Sequence, residues 1–118
     1  MKDTKVTQGF ATMIGYTDRS PFEVVKVVSD QTLEIRAMKA ERNPNWYPEW
    51  VAGGFSAICT NDNEQEWIIT SAPKATVFRI RKQKKVWNVN GRPTQYWTHQ
   101  GQKFLLADEP YKYRDMNF

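Results

Sequence analysis

The fold is indicated most directly by the stretch Val86-Trp87-Asn88-Val89-Asn90-Gly91-Arg92. An Asn-Gly pair tolerates the positive φ angles of a type I′ turn, so this stretch predicts two antiparallel strands joined by a tight turn at Asn90-Gly91. Pro93 follows on the second strand and has no N–H to donate to a ladder. We therefore expect that strand to lie at a sheet edge or to be irregular.

Similar strand signals continue on both sides of this hairpin. Residues 32–37 alternate strictly, which places Leu33 and Ile35 on one face of a strand and charged residues on the other. A short polar connection joins residues 22–28 to residues 32–39, so these two segments predict a second hairpin. Further strands are predicted at residues 10–15, 55–60, 67–71 and 76–82, with an irregular loop at 42–54 and one helical turn near 106–111.

Chain length and strand spacing together define the expected fold class. Strands at spacings of about 8–12 residues are typical of antiparallel barrels and sandwiches. The 118 residues, of which 40% are hydrophobic, suffice for one core of moderate size. We therefore predict a mainly β protein in which residues 1–118 form a single domain, a small antiparallel, partly open SH3-like barrel with little helix.

Membrane and secretion signals are not evident in this sequence. The apolar runs are far shorter than the roughly 20 residues that a membrane-spanning helix needs. Residues 2–5 are polar and do not begin the apolar block of a secretion signal. We therefore expect a soluble, cytoplasmic protein without a membrane partner.

Side chains suited to catalysis or metal binding are scarce. Cys59 and His99 are the only cysteine and histidine, and no neighbouring residue activates either of them, so we expect a buried structural thiol. Asp62, Glu64 and Glu66 alternate and could share a face around a metal ion, but we predict turn residues here. Without a glycine-rich phosphate loop, paired cysteines or a Ser-His-Asp set, the sequence predicts no catalytic residue, no metal and no cofactor.

Positive charge is concentrated in the second half of the chain. Residues 1–60 contain seven basic and seven acidic side chains, whereas residues 73–106 contain eight basic side chains and no acidic one. Cations interleaved with aromatic rings are typical of nucleic-acid binding, because cations neutralise phosphates and rings stack on unpaired bases. The predicted contacts are Arg79, Arg81, Lys82, Lys84, Lys85, Trp87 and Arg92. Alternatively, Trp87 and Trp97 are core residues and the lysines form a solvated strand edge.

A second group of aromatic residues lies in the predicted loop. Trp46, Tyr47 and Trp50 fall within five residues, between Pro44 and the Gly53-Gly54 pair. Large rigid rings on a loop are suited to anchoring a protein interface, so these three residues are predicted interface residues. Alternatively, one or two of them fold back to cover an open end of the barrel.

Several short motifs resemble a family of small uncharacterised proteins encoded by bacteriophages and prophages. Residues 9–12 read Gly-Phe-Ala-Thr, residues 17–21 read Thr-Asp-Arg-Ser-Pro, and residues 113–118 read Tyr-Arg-Asp-Met-Asn-Phe. These are similar to the family's G-x-A-T, S-D-R-x-P and Y-x-D-x-x-F patterns. The chain departs from the family in its longer aromatic loop at residues 46–50 and in lacking a glycine-rich stretch after Trp87. The resemblance implies a phage origin and a bacterial host, but no mechanism.

These observations favour a binding protein over an enzyme. The leading hypothesis is a non-catalytic, phage-type accessory protein whose basic second half binds nucleic acid or a nucleic-acid-handling complex. The alternative is a protein–protein inhibitor or adaptor that acts on a host defence or regulatory protein through the aromatic loop.

Overall fold

The computed structural model describes residues 9–53 and 56–116, within which six strands form a closed antiparallel barrel. In chain order the strands are β1 (Phe10–Ile14), β2 (Arg19–Ser29), β3 (Thr32–Ala37), β4 (Lys39–Arg42), β5 (Trp50–Gly53), β6 (Ser56–Cys59), β7 (Trp67–Thr70), β8 (Val77–Lys82), β9 (Trp87–Val89), β10 (Arg92–Thr94), β11 (Trp97–His99) and β12 (Gln102–Ala107). A short 3-10 helix at Asp62–Glu64 precedes β7. The order around the barrel is β1-β12-β11-β8-β3-β2. The predicted small antiparallel barrel with little helix is confirmed. It is closed and not partly open, because β1 pairs with both β2 and β12.

Alternating side chains fill the barrel. Leu33, Ile35, Ile80 and Phe104 are fully buried, and they come from three different strands. Phe22 meets the Phe104 ring edge to face, with ring centroids 5.3 Å apart. Each such aliphatic or aromatic side chain contributes about 1.5–3 kcal/mol when it leaves water. The core is therefore built from the inward positions that strand alternation assigns.

Two two-stranded ribbons lie outside the barrel, at opposite ends of β8. β3 pairs with β8 from Arg36 opposite Val77 to Thr32 opposite Arg81. β4 follows β3 after one residue and pairs with β7, so this ribbon extends from the Val77 end. We call it, with the inserted β5–β6 pair, the aromatic arm (residues 39–53 and 56–70). The β9–β10 ribbon follows Lys82 at the other end of β8, and we call residues 83–96 the basic hairpin.

The backbone angles of two hairpin turns identify the turn type. Asn90 and Gly91 have φ of 53° and 79°, so the predicted type I′ turn between β9 and β10 is confirmed. Gln100 and Gly101, with φ of 48° and 82°, make a second turn of the same kind between β11 and β12. Pro93 lies on β10, an edge strand of a two-stranded ribbon, where its missing N–H costs no ladder bond.

Two local predictions differ from the structure. The helical turn predicted near residues 106–111 is wrong, because β12 runs to Ala107 and Leu106 pairs with Ala11 in the barrel ladder. The loop predicted at 42–54 is shorter than expected, because Trp50–Gly53 pairs with Ser56–Cys59 as β5 and β6. Gly54 and Phe55, together with residues 1–8 and 117–118, lie outside the described residues.

The segment after β12 ties the barrel to the aromatic arm. Tyr113 exchanges two backbone hydrogen bonds with Arg19, of 2.8 and 3.0 Å, and its hydroxyl donates to Oδ2 of Asp62 over 2.8 Å. Oδ1 of Asp62 accepts from the side chain of Gln65 over 2.7 Å and from the backbone N–H of Met116 over 3.2 Å. The hydrogen bond to Asp62, with partial burial, raises the pKa of Tyr113 to about 12. Asp62 is therefore a structural acceptor that joins two parts of the chain.

Candidate nucleic-acid interface

The outer face of β8 carries the first two predicted contacts. Arg79 and Arg81 point outward and are exposed, while Ile80 between them is buried, as alternation predicts. Arg79 forms an ion pair with Glu34, its cross-strand neighbour, with 3.1 Å between Nε and Oε2. Arg81 lies opposite Thr32 instead. Only Arg79 among the eight basic residues of the 73–106 segment has a carboxylate within 4 Å in the described part of the chain.

A row of outward side chains extends this positive surface across three strands. Thr98 of β11 pairs with Arg81 on one side and with Lys103 of β12 on the other. Paired residues of antiparallel strands point to the same face, and adjacent strands lie about 4.8 Å apart. The backbones of Arg81 and Lys103 are therefore only about 10 Å apart. Lys103 was not among the predicted contacts, although the alternation of Lys103 with buried Phe104 marks it as outward.

Trp87 lies at the centre of the cations and holds two of them. The ammonium of Lys85 lies 3.9 Å from the centre of the Trp87 ring, and that of Lys103 lies 4.6 Å from it. Tyr96 meets the ring nearly edge-on, with centroids 6.5 Å apart. The indole Nε1 donates to Oε1 of Gln83 over 3.2 Å. The half-buried ring therefore positions ammonium groups, and a base could stack on it only where an ammonium moves aside.

The remaining predicted cations lie on the end of β8 and on the basic hairpin. Lys82 and Lys84 line a shallow cavity of about 170 Å³ where β8 passes into the basic hairpin. Arg92 lies on β10 two residues before Thr94, the cross-strand partner of Trp87, so Arg92 and Trp87 share a face of the ribbon. We call Arg81, Lys84, Lys85, Arg92 and Lys103, together with Trp87, the basic face. Lys82 pairs with the buried Trp97 and so lies on the opposite side of β8 from Arg81, at the end of the strand. Charges of one sign on one surface attract anionic ligands over long range.

Trp97 belongs to the barrel core and not to this face. Its side chain is buried, in agreement with the core alternative for this residue. Trp87, by contrast, is outside that core cluster and is only half-buried. The two tryptophans thus have different roles although both lie between basic residues in the sequence.

The aromatic arm separates its three predicted interface residues. Trp46 is only 6% exposed, so it is buried as the alternative predicts, but it does not belong to the core cluster of the barrel. Tyr47 is 61% exposed and Trp50 is 49% exposed. The guanidinium of Arg42 lies 4.2 Å from the centre of the Tyr47 ring. Trp46 therefore lacks the accessibility that an interface anchor needs, whereas Tyr47 and Trp50 have it.

Asn61 fixes the loop that carries these aromatics. Its Nδ2 donates to the carbonyl of Tyr47 over 2.8 Å, and its Oδ1 accepts from the backbone N–H of Glu49 over 2.7 Å. The buried thiol of Cys59 donates to the same oxygen over 3.4 Å. This buried carboxamide was not identified from the sequence, because a lone asparagine after a strand is typical of an ordinary turn.

No family model, curated protein or solved structure matches this chain. The described residues contain no group of three or more His, Cys, Asp or Glu side chains arranged to hold a metal ion. Within the same residues, no helix is long and apolar enough to cross a membrane. We therefore infer function from the geometry of the basic face and of the aromatic arm.

Proposed function

We propose that this protein is a non-catalytic accessory protein of phage type that binds nucleic acid, or a nucleic-acid-handling complex, through the basic face. One observation carries the proposal. The ammonium groups of Lys85 and Lys103 both lie over the Trp87 ring, and neither has a carboxylate within 4 Å among the described residues. A cluster of positioned, unneutralised cations suits the phosphates of a nucleic-acid backbone.

The ring contacts favour phosphate binding through entropy. A free lysine side chain loses up to about 2 kcal/mol of rotamer freedom when it is fixed in one place. Lys85 and Lys103 are already restrained by Trp87 in the folded protein, so part of this entropy is lost on folding and does not weaken the binding of phosphate. The neutralised phosphates release counterions, so the affinity should fall steeply as salt is added.

The chemistry of Cys59 and His99 supports a non-catalytic role. The thiol of Cys59 is buried in the aromatic arm and donates to Asn61. Nδ1 of His99 donates to the carbonyl of Arg79 over 2.9 Å, on the barrel. The two side chains belong to different parts of the fold. The resemblance to phage-encoded proteins supports an accessory role in the cytoplasm of a bacterial host.

The test is a binding titration over a salt series, with single-stranded and duplex DNA and RNA. Lys84→Ala with Lys85→Ala should lower the affinity at low salt by about 10-fold and reduce the slope of log affinity against log salt by about 1.5. The matched control is Lys39→Ala with Lys74→Ala, which removes the same charge from the opposite end of β8. Absence of any binding at low salt, or equal effects of the two double variants, contradicts the proposal.

A second candidate function rests on the aromatic arm. Val51 and Ile58 form a cross-strand pair on one face of the β5–β6 ribbon, and Trp50 lies on the other face. Each of the three side chains is about half exposed. With Tyr47, they present apolar surface of the kind that protein partners cover. An inhibitor or adaptor acting on a host protein would use this surface. The wild-type protein should capture its partner from nuclease-treated lysate, and the variants Trp50→Ser and Ile58→Ser should not. A partner that binds through nucleic acid would no longer be captured after nuclease treatment.

A further inference from the structure

The cavity beside the basic face has walls fixed by three segments of the chain. Gln31 comes from the β2–β3 turn, Lys82, Gln83 and Lys84 from the end of β8 and the start of the basic hairpin, and Gln95 from its returning side. The backbone N–H of Lys82 donates to the carbonyl of Gln31 over 3.0 Å. The side chain of Gln95 donates to the carbonyl of Gln83 over 2.6 Å. These bonds give the cavity a defined shape in the folded protein.

The glutamines that line the cavity have oriented, unused hydrogen-bonding groups. An indole N–H can only donate, so Gln83 must turn Oε1 towards Trp87, and this leaves its Nε2 as a donor. A backbone carbonyl can only accept, so Gln95 must turn Nε2 towards Gln83, and this leaves its Oε1 as an acceptor. Neither remaining atom has a partner among the described residues. Gln31 uses its backbone carbonyl on this side, and its carboxamide has no hydrogen-bond partner within residues 9–53 and 56–116.

This chemistry defines a class of ligand. The two lysines favour an anion, and no carboxylate lines the cavity. A bare phosphate would place its negative charge next to the acceptor oxygen of Gln95, which is unfavourable. A nucleobase edge carries donors and acceptors together, as carboxamides do, and it is attached to phosphates that the lysines can neutralise. A volume of about 170 Å³ is smaller than the roughly 300 Å³ of pockets for drug-sized ligands, so it accommodates one group of base size.

We infer that this cavity is a base-binding pocket that receives one unpaired base of a single-stranded nucleic acid, while Lys82 and Lys84 neutralise the adjoining phosphates. The inference rests on the proposed nucleic-acid binding and adds the form of the ligand. In a duplex the base is stacked and its pairing edge is occupied, so it cannot enter a side pocket without being flipped out. Gln83 bonds to Trp87, so a strand seated in the pocket continues directly onto the ammonium groups of Lys85 and Lys103.

The experiment compares a base-containing and an abasic single strand that have the same number of phosphates, with a duplex as a third ligand. Fluorescence anisotropy at fixed salt would measure binding of single strands of about 12 nucleotides, a fully abasic strand of the same length, and a duplex. We expect the base-containing single strand to bind about 10-fold more tightly than either of the others. Free mononucleotides at the same concentration should not compete, because they lack the flanking phosphates.

Pocket variants distinguish base binding from phosphate binding. Gln31→Ala and Gln95→Leu keep the net charge and should remove the preference for the base-containing strand, with the affinity for the abasic strand and the salt slope unchanged. If Gln95→Leu fails to fold, Gln31→Ala alone decides the test, because the hydrogen bonds of Gln31 to other described residues all use its backbone. Any one of four results would overturn the inference: equal binding of the abasic and base-containing strands, tighter binding of the duplex, an unchanged preference in the variants, or competition by mononucleotides. If salt-sensitive binding persists in these cases, the proposed function stands; if no nucleic acid binds at all, the proposed function fails as well.

Discussion

Lys103 of β12 and Trp87 of the basic hairpin meet although they are separated by the whole of β11, with 4.6 Å between the ammonium and the centre of the ring. The contact connects the hairpin to the outer surface of the barrel. Together with Lys85 on the same ring, it brings cations from two elements to one place. The basic face thus depends on an uncharged residue for its arrangement.

The first prediction concerns that uncharged residue. Trp87→Ala should lower nucleic-acid affinity at low salt by about 3- to 10-fold with the net charge unchanged, because Lys85 and Lys103 lose the ring that restrains them. Trp87→Phe should recover part of the loss, since it retains a ring face. Anisotropy titrations would measure both affinities, with circular dichroism to show that the variants are folded. Wild-type affinity of Trp87→Ala would contradict a positioning role.

The second prediction concerns alkaline stability. Tyr113 donates to Asp62 only while protonated, and its folded pKa of about 12 is raised above its ordinary value of 10.0. A raised folded pKa means that the contribution is complete below pH 10 and is lost as the pH rises towards 12. Tyr113→Phe should cost about 1 kcal/mol at pH 8 and much less near pH 12. Urea unfolding at both pH values measures this, and a cost that does not change with pH would disprove it.

The third prediction concerns acid stability. A hydrogen bond from Ser71, of 2.6 Å, and the Arg36 guanidinium, at 2.8 Å, lower the pKa of Glu23 below 4.5 despite the opposing effect of burial. A lowered folded pKa gives stability that is present above about pH 4.5 and lost as the pH falls through the folded value. Glu23→Gln should cost about 1–2 kcal/mol at pH 7 and less at pH 3.

Urea unfolding at these two pH values would measure the effect on Glu23. The control is Glu41→Gln, because the ion pair of Glu41 with Lys39 is exposed on both sides and exposed pairs contribute little. The third prediction fails if Glu23→Gln and Glu41→Gln have the same cost at pH 7.

The fourth prediction separates the aromatics of the arm. Trp46→Ala removes a buried ring and should destabilise the protein by about 3 kcal/mol, whereas Tyr47→Ala should cost less than about 1 kcal/mol. Trp46→Phe should cost less than Trp46→Ala, because it keeps a buried aromatic ring and the indole N–H that it removes has no hydrogen-bond partner among the described residues. Thermal unfolding monitored by circular dichroism measures all three. Similar melting temperatures for Trp46→Ala and Tyr47→Ala would reverse the assignment.

Local backbone preferences explain which parts of the fold could be predicted. Asn90-Gly91 was predicted as a turn because both residues tolerate positive φ, whereas Gln100-Gly101 was missed because glutamine has no such preference. The pairing of β11 with β12 imposes the turn at Gln100. Similarly, alternation identified the outward direction of Arg79 but could not reveal its ion pair with Glu34, which lies 45 residues away in the sequence.

Burial within the arm could not be predicted from residue type. Trp46, Tyr47 and Trp50 have similar size and apolar character, and they lie close together in the sequence. Their different exposures depend on the loop path that Asn61 fixes through the backbone at Tyr47 and Glu49. Such contacts between distant residues become visible only when the strand register is known. The cavity lined by Gln31 and Gln95 has the same origin, since it is formed by residues 64 positions apart.

The departure of the two ribbons from opposite ends of β8 has a consequence for assembly. The six residues of β8 separate the ribbons by about 17 Å. A strand of nucleic acid bound at the Lys82 end leaves Tyr47 and Trp50 uncovered, and a protein docked at the Val77 end leaves the lysines free. The two proposed binding surfaces therefore belong to separate parts of the chain, so a single molecule would connect a nucleic acid to a protein partner.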